Sequence, residues 1–102
     1  MNIDFHGAIS DFTKVIEADP KSYEAYYNRG FTKYTVEDYN GAINDFNLSI
    51  KIHSNNPRAF NDRGNAKFQL GDKKGACLDW QNSKKLGFSE ADNKLKEYCN
   101  QW

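Results

Sequence analysis

His6 and His53, Cys77 and Cys99, and the run GDKKG from Gly71 to Gly75 are the places where this chain could do chemistry. A histidine can move protons or ligate a metal near neutral pH, and a thiolate can attack carbon or another sulfur. Neither histidine has a cysteine or a paired carboxylate at ligand spacing, so no metal centre is expected. The cysteines stand 22 residues apart, too far for a Cys-x-x-Cys redox or zinc pair, and no histidine adjoins either. Both are expected as free thiols, with Cys77 acting as a small apolar residue. Both histidines are expected at the solvated surface. GDKKG has a superficial look of a phosphate cradle but fits better as a turn between two helices, with Asp72 as the N-cap of the second. There is no nucleophile motif and no Gly-rich phosphate loop, so no catalytic residue and no cofactor is expected.

Charge and length narrow the partners. Fourteen basic residues balance fourteen acidic ones over 102 positions, leaving no excess to drive binding to a phosphate backbone or an anionic lipid surface. Nucleic acid and membrane are therefore not expected as partners. The opening MNIDFHGAISDF is polar and has no basic flank before an apolar run, so it reads neither as a signal peptide nor as a span. A cytoplasmic address is expected if the chain begins at Met1; a fragment of a longer exported protein would have lost its signal. With 38% hydrophobic residues, the chain can hold one core.

The residues that could do chemistry are scattered, whereas other residues recur. YYNRGFTKY, Tyr26 to Tyr34, is echoed by FNDRGNAKF, Phe60 to Phe68; Arg29 and Gly30 return as Arg63 and Gly64, a step of 34 residues. At the same step Ala8, Ala42 and Ala76 align, as do Asp11, Asp45 and Asp79, then Phe12, Phe46 and Trp80. Three copies of one half-unit are present but only two recognisable copies of the half carrying Arg-Gly, so the chain begins midway through a repeat.

Each half has a helical period. Tyr39, Ala42, Ile43, Phe46 and Ile50 are three or four residues apart and share one stripe, as do Phe5, Ala8, Ile9, Phe12 and Ile16. Pro20 stops the first helix and Pro57 opens a later one, where its missing N–H is harmless. Helices are expected at 3–18, 22–35, 39–52, 57–70, 73–85 and 90–100. Gly30 is expected to face Ala42 and Gly64 to face Ala76, so that paired backbones approach closely, with Tyr26, Phe46, Phe60 and Trp80 filling the flanks.

A 34-residue helix–turn–helix unit with aromatic-x-x-x-Gly in its first helix and Ala-x-x-x-aromatic in its second resembles the tetratricopeptide repeat. The matching residues are Tyr26, Gly30, Ala42 and Phe46, then Phe60, Gly64, Ala76 and Trp80, with Ala8, Phe12 and Pro20 in the leading half. The resemblance implies an all-α fold: a right-handed α-α superhelix of about six antiparallel helices, starting mid-repeat and ending in a capping helix. One domain is expected over 1–102, divided as 1–21, 22–55, 56–88 and 89–102. In the last segment Ala91, Leu95, Tyr98 and Trp102 are expected to face inward, and Asp92, Lys94, Lys96 and Glu97 to stay wet. The chain departs from the family pattern at Arg29 and Arg63, where leucine is usual, and at Lys33 and Lys67, where tyrosine is common. An aspartate precedes each second-helix aromatic, so Arg29 and Arg63 are expected to contact Asp11, Asp45 or Asp79, shielded from water.

The resemblance also implies a concave surface lined by the first helices. On this chain that surface is expected to present Glu24, Tyr27, Asn28, Phe31 and Tyr34 from one helix and Arg58, Asn61, Asp62, Asn65 and Phe68 from the next. Aromatics and amides suit an extended peptide, whose backbone needs hydrogen-bond partners and whose side chains need shallow apolar pockets. Some repeats of this family clamp the acidic C-termini of heat-shock chaperones with cations and amides. Asn28 and Arg58 sit at clamp-like places, but Asp62 stands where a cation is wanted and would repel a carboxylate. The function expected is a non-catalytic interaction module holding a peptide or partner protein in its groove. The alternative is self-assembly, as a dimer or head-to-tail oligomer, through the apolar stripe of the N-terminal helix.

Overall fold

A computed structural model describes residues 3–100. They form six helices in series: α1 Phe5–Ala18, α2 Tyr23–Thr35, α3 Tyr39–Ile52, α4 Pro57–Gln69, α5 Lys73–Lys85 and α6 Glu90–Tyr98. No strand occurs among the described residues. Each helix packs on the next, and α2 also touches α4 directly. The result is an elongated body measuring 43 × 29 × 22 Å. Every helix end falls within two residues of the position expected from periodicity.

Local signals fix these ends. Asp4, Asp38 and Asp72 cap α1, α3 and α5, each carboxylate accepting from the backbone N–H of a glycine three residues on, Gly7, Gly41 and Gly75, at 2.8, 3.0 and 2.9 Å. A Cβ on any of these glycines would run into the capping carboxylate, which explains an Asp-x-x-Gly element recurring with the repeat. Ser22 caps α2, and Asn56 caps α4 ahead of Pro57. At the C-terminal ends of α2, α4 and α5 the chain closes with paired backbone bonds: Asp38 to Lys33 and Glu37 to Tyr34, Asp72 to Lys67 and Gly71 to Phe68, Phe88 to Ser83 and Gly87 to Lys84. Such a closure needs a left-handed residue. Gly71 and Gly87 supply it at φ 88° and 99°, and Glu37 adopts φ 67° at the place equivalent to Gly71.

The core runs along the seam between first and second helices. Phe46 and Trp80 are its largest fully buried side chains, set among Ala42, Ala59, Ala66 and Ala76. A fully buried side chain of this size stabilises by about 3 kcal/mol. Gly64 is pressed against Trp80 and the carbonyl of Ala76, as expected. At Gly30 the nearest atoms are the ring of Phe46 and Cβ of Asp45: the large ring, one turn beyond Ala42 on α3, takes the space the missing side chain leaves. Ser49 and Ser83 are buried and donate to the carbonyls of Tyr23 and Pro57, tying each second helix to the start of its partner.

The expected arginine–aspartate ladder is present with two rungs. Arg29 forks onto Asp45, with Nε at 2.8 Å and Nη2 at 2.7 Å, while Nη1 reaches back 3.2 Å to Thr13 on α1. Arg63 forks onto Asp79 in the same way and reaches Asn47, at the place equivalent to Thr13. Lys33 and Lys67 add a second cation to each aspartate at 3.2 Å. Asp11 is exposed and joins no such pair among the described residues.

The free-thiol expectation is overturned, since Cys77 and Cys99 form a disulfide with Cα atoms 6.0 Å apart. Sequence spacing misled because α6 folds back on α5, seats Ala91 in the buried cluster and returns the chain to Cys77. Leu95 and Tyr98 pack inward and Lys96 and Glu97 are exposed, as expected; Trp102 lies outside the described residues. Asp92 is drawn into pairs with Lys84 and Lys96, and Lys94 is half-buried above the Tyr98 ring. His53 is not free in solvent but stacked on Tyr23, ring centroids 4.2 Å apart; His6 is exposed.

Candidate functional site

Parallel placement of α2 and α4 turns a run of sequence positions into a surface. Its centre is a hydrogen bond between the two helices: the Tyr27 hydroxyl donates to Asp62 Oδ2 at 2.6 Å. Asn61 Nδ2 donates to the other oxygen of Asp62 at 3.2 Å. The two donors do not fully offset the loss of water. Burial pushes the Asp62 carboxyl above the ordinary carboxylate range, against the hydrogen bonds from Tyr27 and Asn61 and the charge of Arg58. Burial, then the bond to Asp62, also pushes the Tyr27 hydroxyl up, so it remains a donor. Asn61 is 9% exposed, and its Oδ1 has no hydrogen-bond partner among the described residues.

Over this centre opens a recess of about 260 Å³ lined by Tyr27, Phe31, Arg58, Asn61, Asp62, Phe88 and Glu90. Five of these belong to the expected concave set. Phe88 and Glu90, from the turn before α6 and its first residue, do not. Phe31 is 49% exposed, an aromatic presented to solvent at the rim.

A smaller recess of about 110 Å³ is lined by Tyr34, Asn65, Phe68, Gln69, Trp80, Lys94 and Tyr98. Here three expected residues meet four that were not expected, and the expected ones already have internal work. Asn65 Oδ1 accepts from Trp80 Nε1 at 3.1 Å, and Phe68 packs 4.5 Å from Tyr98 and 5.7 Å from Trp80. Tyr34 lies edge-on to Tyr39. Glu24 and Asn28 are exposed on α2 and line neither recess. Tyr98 could have been found, because it stands in the repeat frame where Gly30 and Gly64 stand and so must fill space they leave empty. Phe88 and Glu90 belong to a connection rather than to a first helix, and no periodic signal marks them. Among the described residues no cluster of three or more His, Cys, Asp or Glu is placed to hold a metal.

Residues 23–56, the α2–α3 unit with its closing turn, match the family model of the tetratricopeptide repeat. Residues 23–56 thus carry a tetratricopeptide repeat, and the whole fold is similar to that of solved tetratricopeptide-repeat domains. The chain superposes on the first TPR of Spaghetti (RPAP3) bound to HSP90 peptide SRMEEVD with TM-score 0.89, at 27% identity over 93% of this chain and 77% of that one. The second TPR domain of human RPAP3, in complex with HSP70 peptide SGPTIEEVD, gives 0.87 at 25% identity over 95% and 82%. MamA gives 0.86 at 29% identity over 90% of this chain but 55% of that one, so this chain spans about half of MamA. No curated protein matches the chain by sequence.

Proposed function

We propose that this chain is a non-catalytic interaction module that holds a peptide or an extended segment of a partner protein across α2 and α4. The observation that carries the reading is the Tyr27–Asp62 bond, which forms a fixed polar floor beneath an open recess rimmed by the exposed ring of Phe31. Rings supply apolar contact at low entropic cost, and buried polar groups supply orientation. Two structurally similar domains are seen with chaperone peptides, which supports a peptide as the kind of ligand. Those peptides end in Glu-Glu-Val-Asp; here two carboxylates, Asp62 and Glu90, line the recess against one cation, Arg58, so an acidic terminus is a poor fit.

Affinity capture from the native cell with the intact chain and with Phe31→Ala tests the reading. Partners lost with Phe31→Ala, at unchanged circular dichroism, support it; partners retained by the variant sink it. Self-association through α1 is a second reading, resting on Phe5, Ile9 and Phe12, which are half-buried in a helix without a single buried residue. Light scattering over a range of concentrations separates the two. No helix among the described residues is long and apolar enough to cross a membrane. The Cys77–Cys99 disulfide supports an oxidising compartment over the cytoplasmic address expected from the N-terminus.

A further inference from the structure

We propose that the recess between α2, α4 and the start of α6 receives a basic side chain, an arginine or lysine of the bound peptide. This rests on the groove reading above and gives it a ligand chemistry. Anionic groups outnumber cationic ones in the lining. Asp62 and Glu90 contribute carboxylates, and Arg58 is the one cation among the lining residues. Arg58 is exposed, so it can swing toward solvent when a second cation arrives.

Independent of that charge count, Asn61 lines the same recess with an unmet acceptor. Its Nδ2 is committed to Asp62 Oδ1 at 3.2 Å, which sets the amide orientation and leaves Oδ1 without a donor. Oδ1 has almost no contact with water as it stands, so a donor held in the recess meets it only with a small rotation of the Asn61 side chain. An unmet buried acceptor is costly, and supplying its donor is a gain specific to the bound state. An incoming carboxylate brings no donor; a guanidinium or ammonium brings several and no acceptor. The rings of Tyr27 and Phe31, with centroids 6.4 Å apart and tilted by 31°, and the ring of Phe88 add faces to which a cation is attracted. Burial has already pushed the Asp62 carboxyl up, a penalty that a bound cation relieves.

The test selects phage-displayed 12-residue peptides of unrestricted sequence on the intact, disulfide-bonded chain. Selected peptides are then measured by fluorescence polarisation beside versions in which arginine is replaced by citrulline and lysine by acetyl-lysine. Groove binders carry a basic residue whose neutral replacement weakens binding about tenfold or more, the scale of a lost charge-assisted hydrogen bond. Glu90→Gln then weakens the basic peptide but not its neutral version. Peptides that lose binding with Phe31→Ala but lack a basic residue, or tolerate its neutralisation, overturn the inference and leave the groove reading standing. If no selected peptide is sensitive to Phe31→Ala, the groove reading fails and the inference with it.

Discussion

Arg29 and Asp45 meet through two parallel hydrogen bonds, at 2.8 and 2.7 Å, and Arg63 repeats the fork on Asp79 in the next unit. Asp45 is 2% exposed, so its charge depends on what the protein supplies. Removing the partner of a buried carboxylate costs more than removing the pair. Arg29→Met is therefore expected to destabilise by about 2 kcal/mol, the usual 3–5 reduced because Lys33 still stands 3.2 Å from the carboxylate. Arg29→Met with Asp45→Leu should recover most of that loss. Urea unfolding of the single and double variants decides it: if the double variant is less stable by the sum of both single effects, Arg29 and Asp45 are not coupled and the expectation fails.

Glu37 and Gly71 occupy equivalent turns, both left-handed, but only one is glycine. A side chain there is strained by about 1 kcal/mol. Glu37→Gly should accordingly stabilise the chain by up to about 1 kcal/mol, and Gly71→Ala should destabilise it by a similar amount. Thermal melts of the two variants check this. Matching shifts of the same sign would refute the equivalence of the turns.

The helices were legible because each buries a stripe whose spacing is a helix's own, and repetition tested each stripe against another copy. The ion pairs were legible for a related reason: an unusual Arg29 and a recurrent Asp45 are separately puzzling but together satisfy one another. What escaped depends on distances created by folding. Cys77 and Cys99 become neighbours only after α6 turns back on α5. Phe88 and Glu90 join Tyr27 across the recess from a connection with no period to read. Asn65, expected on the open surface, is held by the Trp80 indole, because a buried ring N–H needs an acceptor and the nearest repeat position provides it.

The disulfide closes a 22-residue separation between α5 and the end of α6, for which loop entropy suggests about 3 kcal/mol. Reduction is expected to lower the melting temperature and to speed amide exchange first in α6, where Leu95 and Tyr98 lose their tether to the Trp80 cluster, while α2 and α3 stay protected. Cys77→Ala with Cys99→Ser should reproduce the effect and be insensitive to reductant. Titratable thiols in the native chain, or a melt unchanged by reductant, would show that the bond is not formed in solution.

Asp62 gives the chain a pH dependence opposite in sign to the usual carboxylate. Its folded-state value is raised, chiefly by burial, so the native chain holds the proton more tightly than the unfolded one. The associated stability is fully present below the ordinary carboxylate value of about 4 and is lost as pH rises through the raised value. Asp92 works the other way: hydrogen bonds from Lys84 and Lys96 hold it low, and its contribution disappears as pH falls. Only a difference between variants isolates the first effect. Asp62→Asn keeps an acceptor for the Tyr27 hydroxyl, and its new amide can donate to Asn61 Oδ1 once that side chain flips, which satisfies the atom now unpartnered. The variant should equal or exceed the parent in stability at pH 7, by no more than about 1 kcal/mol, and the gap should narrow as pH falls toward 4. Urea midpoints measured between pH 4 and 8 would refute this if the variant were less stable at pH 7 and the deficit shrank only at acid pH, because the ionised carboxylate would then be an asset to the fold.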